Sequence, residues 1–303
     1  IESIDEDSLK VLLGKSAREC MELSELHSHW ESCLHAQAKL PRTGLNLPAD
    51  LISAVFKQLW SSFEHWRLCE YQNSTAPLQS REIDAADGRY KVDVLRESPM
   101  VLIVHGVLTA EECDALASQA GPVEELKMAF VNGGGHSRNR RTLSKNLYPD
   151  SDLKNPLTKA THRFFDIARR LSGFELYMEG QEPINWLYYK PGYEYRPHCD
   201  GKCGNPSIEL GQRVATSLVY CTVAQQGGDT VFPNDGLKVN PLPGMMLFFT
   251  YNPDPHSLSY HSACPVTKGA KTTATQWYRE GVSNEVNWDA VNRGVSPTRR
   301  VEM

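Results

Sequence analysis

A histidine and an aspartate two positions apart are the first residues in this sequence that could bind a metal ion. They are His198 and Asp200, within the segment YRPHCD at positions 195–200. On an extended strand, side chains two positions apart project to the same side, so the imidazole and the carboxylate can share one ion. A second histidine would complete the facial triad of non-haem Fe(II) oxygenases, which leaves coordination positions open for reactants.

His261 is the candidate for that second histidine, and Lys271 follows it beyond a turn at 267–269. If the two segments form adjacent strands, the lysine ammonium group lies deep in the same barrel as the metal. A buried ammonium group needs an anionic partner, and a dicarboxylic co-substrate would supply one. The alternative interpretation is a solvated lysine in a surface hairpin.

Five segments that include these residues follow one another along the chain. They are YKPGYEYRPHCD (189–200), RVATSLVY (213–220), GGDTVFP (227–233), PGMMLFFTY (243–251) and HSACPV (261–266), the last followed by Lys271 and Trp277. In this order and at this spacing they resemble the prolyl 4-hydroxylase family, over about residues 95–283.

The resemblance implies an α+β fold, in which a double-stranded β-helix (a jelly roll) with supporting helices holds Fe(II). By analogy with the family, His198, Asp200 and His261 are the metal ligands and Lys271 is the fourth catalytic residue. The family uses 2-oxoglutarate and O2 as co-substrates, with ascorbate as a further cofactor.

The same resemblance assigns residues to the two organic substrates. Lys271 would pair with the distal carboxylate of 2-oxoglutarate, and Tyr189 and Thr216 sit where the family donates hydroxyl hydrogen bonds to that carboxylate. Tyr195 and Trp277 align with aromatic residues near the peptide-binding groove, and an ordinary core role is the alternative for both.

The activity that the resemblance implies is 4-hydroxylation of proline in a peptide or protein, coupled to decarboxylation of 2-oxoglutarate to succinate and CO2. Two alternatives stay open from the sequence. One is the same chemistry on another side chain, such as lysine. The other is a non-catalytic binding or scaffold protein that keeps the barrel.

The elements that must position these residues are short strands after Pro183. Apolar runs separated by glycine-containing turns predict strands at 184–189, 214–223, 230–232, 245–251 and 272–278. Many short strands at this spacing indicate a sandwich or jelly roll rather than a parallel sheet.

Upstream of this barrel the sequence predicts one strand, two helices and a loop. The run 100–104 reads as a strand, and Thr109 with Glu112 forms a capping box at a helix start. A second helix is expected over 157–171. The glycine run at 133–135 predicts a mobile loop, either a lid or a hairpin tip.

We expect a helical accessory region at 1–90, because apolar residues recur at steps of three and four over about the first seventy residues and the periodicity is lost over 71–90, where the boundary is placed. We expect one helix near the start and a second over about 48–69, which form a hairpin that packs on itself or on its neighbour. The alternative is a homo-oligomer or accessory-subunit interface. The dioxygenase domain is then expected at 91–283, followed by an irregular tail at 284–303.

Composition excludes some classes of protein. The 303 residues carry a formal charge of −5, which argues against nucleic acid as the partner. No apolar run is long enough to span a membrane. Because the chain begins at Ile1, we expect a processed or trimmed N-terminus, with a signal or anchor segment left open.

Cysteine usage and one sequon favour the secretory pathway. The eight cysteines show no paired CxxC zinc spacing, and for Cys199 and Cys203 both a short-range disulfide and free thiols are open. Asn73 begins an acceptor sequon for N-glycosylation. We therefore expect the endoplasmic reticulum lumen, with the cytoplasm as the alternative.

Overall fold

The computed structural model describes residues 61, 64–70, 73–129, 140–201, 209–251 and 258–297. The chain divides into two compact units, residues 1–64 and residues 65–303. The helices predicted for 1–60 and the glycine-rich loop at 133–135 lie outside the described residues. In the second unit, residues 65–70 are helical, in agreement with the prediction for that segment.

Strands dominate the second unit. In chain order they are β1 (Gln79–Ala85), β2 (Gly88–Arg96), β3 (Val101–Val104), β4 (Lys127–Met128), β5 (Leu143–Leu147), β6 (Ile184–Tyr189), β7 (Tyr195–His198), β8 (Arg213–Thr222), β9 (Gln226–Gly227), β10 (Thr230–Phe232), β11 (Leu237–Val239), β12 (Met246–Thr250), β13 (His261–Ala263), β14 (Val266–Lys268) and β15 (Lys271–Arg279). The strands predicted from the apolar runs are confirmed, with ends that differ by one residue at most.

The helices are α1 (Ala110–Ala120), α2 (Pro156–Ser172) and α3 (Trp288–Asn292). The predicted capping box is confirmed: the Thr109 side chain accepts from the backbone N–H of Glu112, and the Glu112 side chain accepts from the backbone N–H of Thr109. For α2, the Asn155 side chain caps the N-terminus, and Gly173 ends the helix with a left-handed conformation.

Two antiparallel sheets form the barrel. The larger has the order β1-β2-β3-β12-β8-β15-β6-β5-β4, and the smaller has the order β11-β10-β13-β7. From β6 to β15 the chain passes back and forth between the two sheets, with β6, β8, β12 and β15 in the larger and β7, β10 and β13 in the smaller. This alternation is that of a double-stranded β-helix, so the α+β jelly-roll prediction is confirmed.

The sequence of the central strand β12 is apolar without interruption, because both faces of the strand are buried. Met246 and Phe248 pack in the cluster that contains α1 and α2, whereas Leu247 and Phe249 pack towards Phe232 of the smaller sheet. Both faces of the strand are buried, so the usual polar alternation is absent. Burial of each such side chain stabilises the fold by about 1.5–3 kcal/mol.

The structure corrects both ends of the predicted domain. Residues 79–90, expected in the helical region, form β1 and the start of β2, which pair in register from Gln79↔Val94 to Ala85↔Gly88. Residues 284–303, expected to be irregular, include the helix α3. The Asn287 side chain caps α3 by accepting from the backbone N–H of Ala290. Among the described residues, no helix has the length and apolar character needed to cross a membrane.

Disulfide bonds tie helical segments to the barrel. Cys69, in the helical segment 65–70, is bonded to Cys264 just after β13, and Cys113 of α1 is bonded to Cys221 of β8. Cys199 is also disulfide-bonded, and Cys203 lies outside the described residues. Cys113 and Cys221 both lie between Cys69 and Cys264 in the sequence. The Cys69–Cys264 bond therefore closes a longer loop and restricts the unfolded chain even when the Cys113–Cys221 bond is intact.

We predict that the double substitution Cys69→Ala and Cys264→Ala lowers the free energy of unfolding by about 2–5 kcal/mol, because it frees a long loop of the unfolded chain. Denaturant unfolding followed by tryptophan fluorescence measures the change. Cys113→Ala with Cys221→Ala is the matched control for loss of the other bond. Equal stability of the Cys69/Cys264 variant and the unsubstituted protein would contradict the prediction.

Candidate active site

The two histidines and the aspartate predicted as metal ligands meet inside the barrel. His198 at the end of β7 and His261 at the start of β13 are direct cross-strand partners. Asp200 lies between them: its Oδ1 is 3.4 Å from His198 Nε2 and its Oδ2 is 3.5 Å from His261 Nε2. The three ligand atoms lie within 4.8 Å of one another, so one ion can contact all three.

Backbone carbonyls orient both imidazoles. Nδ1 of His198 lies 2.8 Å from the carbonyl oxygen of Arg196, and Nδ1 of His261 lies 3.0 Å from that of Ser259. A hydrogen on Nδ1 satisfies each carbonyl, which leaves Nε2 with its lone pair towards the site. This is the arrangement that metal-binding histidines use to set tautomer and ring orientation.

The electrostatics of the triad favour the protonation states that a cation needs. Burial and the neighbouring His198 lower the pKa of His261 to about 4, so its imidazole is neutral near pH 7. Burial opposes ionisation of Asp200, but His261, His198 and Arg213 together hold the pKa of Asp200 well below its usual value. The site therefore presents the neutral imidazole of His261 beside the ionised carboxylate of Asp200.

Thr216 and Tyr251 hold the carboxylate from the larger sheet. The Thr216 hydroxyl donates to Oδ2 of Asp200 at 2.8 Å and also contacts the Tyr251 hydroxyl. Gly201 permits this approach, because a Cβ atom there would lie 2.7 Å from the Tyr251 ring. The orientation of Asp200 thus depends on β8 and on Tyr251, just after β12.

Lys271 lies at the closed end of the same interior space. Its side chain is buried, and Nζ donates to the carbonyl oxygen of Gly228 at 2.7 Å. Nζ also lies 5.4 Å from the ring centroid of Tyr189, its direct partner on β6, and 5.2 Å from that of Tyr220. In the described residues no carboxylate lies within ion-pair distance of Lys271. Asp229 forms its ion pair with Lys238 instead, at 3.0 Å.

Two cavities meet at the triad. A small inner one runs from His198 and Asp200 to Lys271, and is also lined by Tyr189 and Thr230. An outer one of about 450 Å³ opens on the other side of the same two ligands. Tyr195 and Trp277 line both cavities, as does Arg140. The geometry therefore joins a small inner chamber, which ends at the buried Lys271, to a larger outer groove through the metal site.

A buried ion-pair network forms the wall of the outer cavity. Glu182 accepts two hydrogen bonds of 2.6 Å from Arg213 and a third of 2.6 Å from Arg279. Arg213 also donates to the backbone carbonyl of Asp200 at 3.1 Å and lies 4.0 Å from the Trp277 ring centroid. This bidentate pairing fixes Arg213 between a metal ligand and the groove.

Sequence comparisons identify relatives of this chain. The family model of the 2OG-Fe(II) oxygenase superfamily matches residues 184–279. Prolyl 4-hydroxylase 1 of Arabidopsis thaliana is 31% identical over 215 residues, which cover 64% of this chain and 73% of that protein. Prolyl 4-hydroxylase 5 of the same plant is 30% identical over 224 residues, with the same coverage of 64% and 73%. The chain belongs to the prolyl 4-hydroxylase family.

Among solved structures, a viral collagen prolyl hydroxylase of Paramecium Bursaria Chlorella virus-1 is similar with a TM-score of 0.48 and 24% identity. The match covers 59% of this chain and 95% of the viral chain.

The groups that the prolyl 4-hydroxylase family requires fit these residues. The triad offers the nitrogen and oxygen donors suited to Fe(II), with all three ligands on one side. Lys271 is a buried cation that, among the described residues, donates to the carbonyl oxygen of Gly228 and pairs with no carboxylate, so a carboxylate of 2-oxoglutarate would compensate its charge. Tyr189, the cross-strand partner of Lys271, lines the inner cavity beside it.

Thr216 does not occupy the place that the resemblance assigned to it. Its hydroxyl donates to Asp200, and it is absent from the lining of the chamber around Lys271. Thr230 of β10 lines that chamber instead. Because Thr230 Oγ1 accepts from the Tyr220 hydroxyl at 2.7 Å, its own hydrogen remains available for a carboxylate.

Sequence reasoning missed four residues at the site. They are Thr230, Tyr251, Glu182 and Arg213. The segments that carry the family resemblance contain Arg213, Thr230 and Tyr251, but the sequence does not show which groups these side chains contact. Glu182 had no local signal, because its partners Arg213 and Arg279 are remote in sequence.

We predict that Thr216→Val and Thr230→Val separate metal binding from co-substrate binding. Thr216→Val should weaken Fe(II) or Co(II) affinity about 10–100-fold, because Asp200 loses the hydrogen bond that orients it. Thr230→Val should leave metal affinity unchanged and weaken 2-oxoglutarate binding about tenfold or more, as expected for a lost bond to a charged group.

Calorimetric titration of each variant with metal, and then with 2-oxoglutarate, measures both affinities. Valine is close to threonine in shape, so each variant serves as the control for the other. The reverse pattern, with metal affinity lost only in Thr230→Val, would contradict the placement of the two hydroxyl groups.

Proposed function

We propose that this chain hydroxylates proline at the 4-position in a peptide or protein substrate, at an Fe(II) centre that uses 2-oxoglutarate and O2. The observation that carries the proposal is the position of the triad at the junction of two cavities. One ends at the buried Lys271, and the other opens to solvent. Family membership supports the choice of reaction.

His198, Asp200 and His261 would hold the iron, and Lys271, Tyr189 and Thr230 would hold the distal carboxylate of 2-oxoglutarate. With both groups bound, the site supplies an oxidant that places one oxygen atom on a C–H bond while 2-oxoglutarate becomes succinate and CO2. The protein orients both substrates and keeps bulk water out of the chamber. Apolar walls from β12, including Phe249, separate the triad from the core; the Phe249 ring lies 4.5 Å from that of His261.

The outer groove supports a peptide substrate. Tyr195 stacks on His198 with 3.3 Å between ring centroids, and Arg140 lies 4.8 Å from the Tyr195 ring centroid. The indole N–H of Trp277 is buried without a hydrogen-bond partner in the described residues. A peptide carbonyl oxygen in the groove would satisfy this donor, and the aromatic faces suit a proline ring.

The proposal places the enzyme in the endoplasmic reticulum lumen or elsewhere in the secretory pathway. All five cysteines of the described residues are disulfide-bonded, which is typical of an oxidising compartment. Asn73 is exposed, so the sequon is accessible for N-glycosylation. Ascorbate as a further cofactor, and residues 1–90 as an oligomer or accessory-subunit interface, belong to the same proposal.

We predict that the protein, incubated with Fe(II), 2-oxoglutarate, ascorbate and proline-containing peptides, adds one oxygen atom to proline. Mass spectrometry of the peptide locates the oxygen, and succinate is measured in parallel. His198→Ala should abolish both products, because the iron loses a ligand. Peptide-dependent succinate in His198→Ala, or succinate without a hydroxylated peptide in the unsubstituted protein, would contradict the proposal.

We also predict a pH dependence that comes from Lys271. Burial lowers the pKa of Lys271 to about 8, so its charge is present below that pH and is lost as the pH rises through it. The KM for 2-oxoglutarate should therefore rise above about pH 8, by up to about tenfold for each pH unit.

Steady-state kinetics at a series of pH values measures this effect. Lys271→Arg is the matched variant, because a guanidinium group keeps its charge throughout the range. Its KM for 2-oxoglutarate should stay level above pH 8, whatever its absolute value. A level profile in the unsubstituted protein as well would contradict the role of Lys271.

A further inference from the structure

The Cys69–Cys264 disulfide bond lies beside a buried histidine. His65 is 1% exposed and precedes Cys69 by four positions in the helical segment 65–70, so both side chains lie on the same face of that segment. One imidazole nitrogen of His65 and the two sulfur atoms all lie within 4.8 Å of one another. This His65–Cys69–Cys264 cluster shares no residue with the catalytic triad.

The distances in the cluster are close to those that a zinc ion requires. An imidazole nitrogen and a thiolate sulfur that bind one tetrahedral Zn²⁺ are about 3.6 Å apart, and Nδ1 of His65 lies 3.7 Å from Sγ of Cys69. Two thiolates on the same ion need about 3.8 Å between their sulfur atoms. The Cα atoms of Cys69 and Cys264 are 5.6 Å apart, so side-chain rotation can reach that separation once the disulfide bond is open.

Glu194 sets the tautomer of His65 that a metal ion needs. Burial opposes ionisation of Glu194, but His65 and Arg196 hold the pKa of its carboxyl group below the usual value. Oε2 of Glu194 lies 3.8 Å from Nε2 of His65, and neither atom has a hydrogen-bond partner among the described residues. A hydrogen on Nε2 faces this carboxylate, which leaves the lone pair of Nδ1 towards the sulfur atoms. An acidic residue behind the outer nitrogen is typical of zinc-binding histidines.

The Ser262 hydroxyl occupies that lone pair while the disulfide bond is closed. Ser262 Oγ lies 2.7 Å from Nδ1 of His65, so the hydroxyl donates to the nitrogen. A zinc ion would take the place of this hydroxyl, with a water molecule as its fourth ligand. Two thiolates cancel the charge of Zn²⁺, and burial of the neutral complex therefore costs little. Thiolate and imidazole together are the ligand types that suit zinc.

We propose that His65, Cys69 and Cys264 form a second metal site, which binds Zn²⁺ when the disulfide bond is reduced. A dithiol attacks the partly exposed Cys69, and thiol–disulfide exchange converts the dithiol to a disulfide and the two cysteines to thiols. Zinc then displaces the two thiol protons, which pass to solvent. The ion links the helical segment 65–70 to β13 in place of the disulfide bond.

The test uses the full chain and Co²⁺ as an optical probe for the zinc site. The protein is reduced with a dithiol, which is removed by gel filtration under nitrogen before the metal is added. Sulfur-to-cobalt charge-transfer absorption arises only where a thiolate binds the ion, so the catalytic triad does not contribute to it. The reduced protein should show this absorption for one cobalt ion per chain, and Zn²⁺ should remove it. The oxidised protein should not show it.

Two pairs of substitutions identify the thiolates. Cys69→Ala with Cys264→Ala should lose the absorption. Cys113→Ala with Cys221→Ala removes the bond between α1 and β8 and should keep it. Absorption that persists in the Cys69/Cys264 variant would overturn the proposal, because the thiolates would then lie elsewhere in the chain.

Three single substitutions identify the histidine as a ligand, with zinc affinity of the reduced protein measured by competition with a chromophoric chelator. Glu194→Gln should weaken zinc binding about tenfold, as expected for a lost orienting partner. His65→Ala should weaken it by more than about 100-fold, because a ligand is lost. Ser262→Ala removes the competing hydroxyl and should not weaken it. Equal losses in Ser262→Ala and His65→Ala would overturn the role of His65, since both would then act through their mutual hydrogen bond.

Circular dichroism of the unsubstituted protein covers the effect of reduction on the fold. A reduced protein that stays folded and shows no charge-transfer absorption would overturn the proposal. If reduction unfolds the chain, added zinc should restore the spectrum of the oxidised protein. A reduced chain that stays unfolded with zinc present would equally overturn it.

Discussion

The register between β7 and β13 is the constraint on which the site depends. Because His198 and His261 are direct cross-strand partners, both imidazoles face the interior at the same level of the barrel. A slip of one residue would turn one imidazole to the opposite face of the sheet and leave Asp200 with a single partner. The Cys69–Cys264 disulfide and the contact of 2.7 Å between His65 Nδ1 and Ser262 Oγ hold β13 in this register. β13 also pairs with β10, which places Thr230 beside the chamber.

The site keeps charges in the interior that a stable core would avoid. Lys271 is buried beside two aromatic rings, and its pKa of about 8 reflects the loss of hydration. The isolated position of this cation is costly without an anion, and it becomes favourable when a carboxylate binds. Glu182 is also buried, but it forms a bidentate ion pair with the half-buried Arg213, and the pair therefore acts as a scaffold. The paired charges of Arg213 and Glu182 thus belong to the structural wall, and the unpaired charge of Lys271 belongs to the binding chamber.

The C-terminal helix shows how a short element can matter for function. A five-residue helix has little stability of its own, because most of its backbone groups lack partners within the helix. The side-chain cap from Asn287 and the bond from the Trp288 N–H to the Gly180 carbonyl oxygen supply partners for two of those groups, and the Asn292 side chain ties the helix to Arg279. α3 therefore exists only against the barrel, and there it joins the network that ends at the metal ligand. Residues of α3 also line the outer cavity, so the wall of that cavity is connected by hydrogen bonds to Asp200.

By itself, the sequence determined the elements whose information is local: the His198–Asp200 spacing, the Thr109 capping box and the apolar strands. The sequence also carries aspartate and glycine at 84–88, and the structure places the two-residue loop of the β1–β2 hairpin there, at Ala86 and Asp87, within the segment assigned to the helical region. Only the tertiary structure decided what each threonine contacts, because Thr216 and Thr230 both lie on strands. Thr216 donates to Asp200, whereas Thr230 lines the inner cavity that ends at Lys271. The same holds for Glu182 and α3. Their roles come from partners remote in sequence, and a pattern of neighbouring residues carries no information about such contacts.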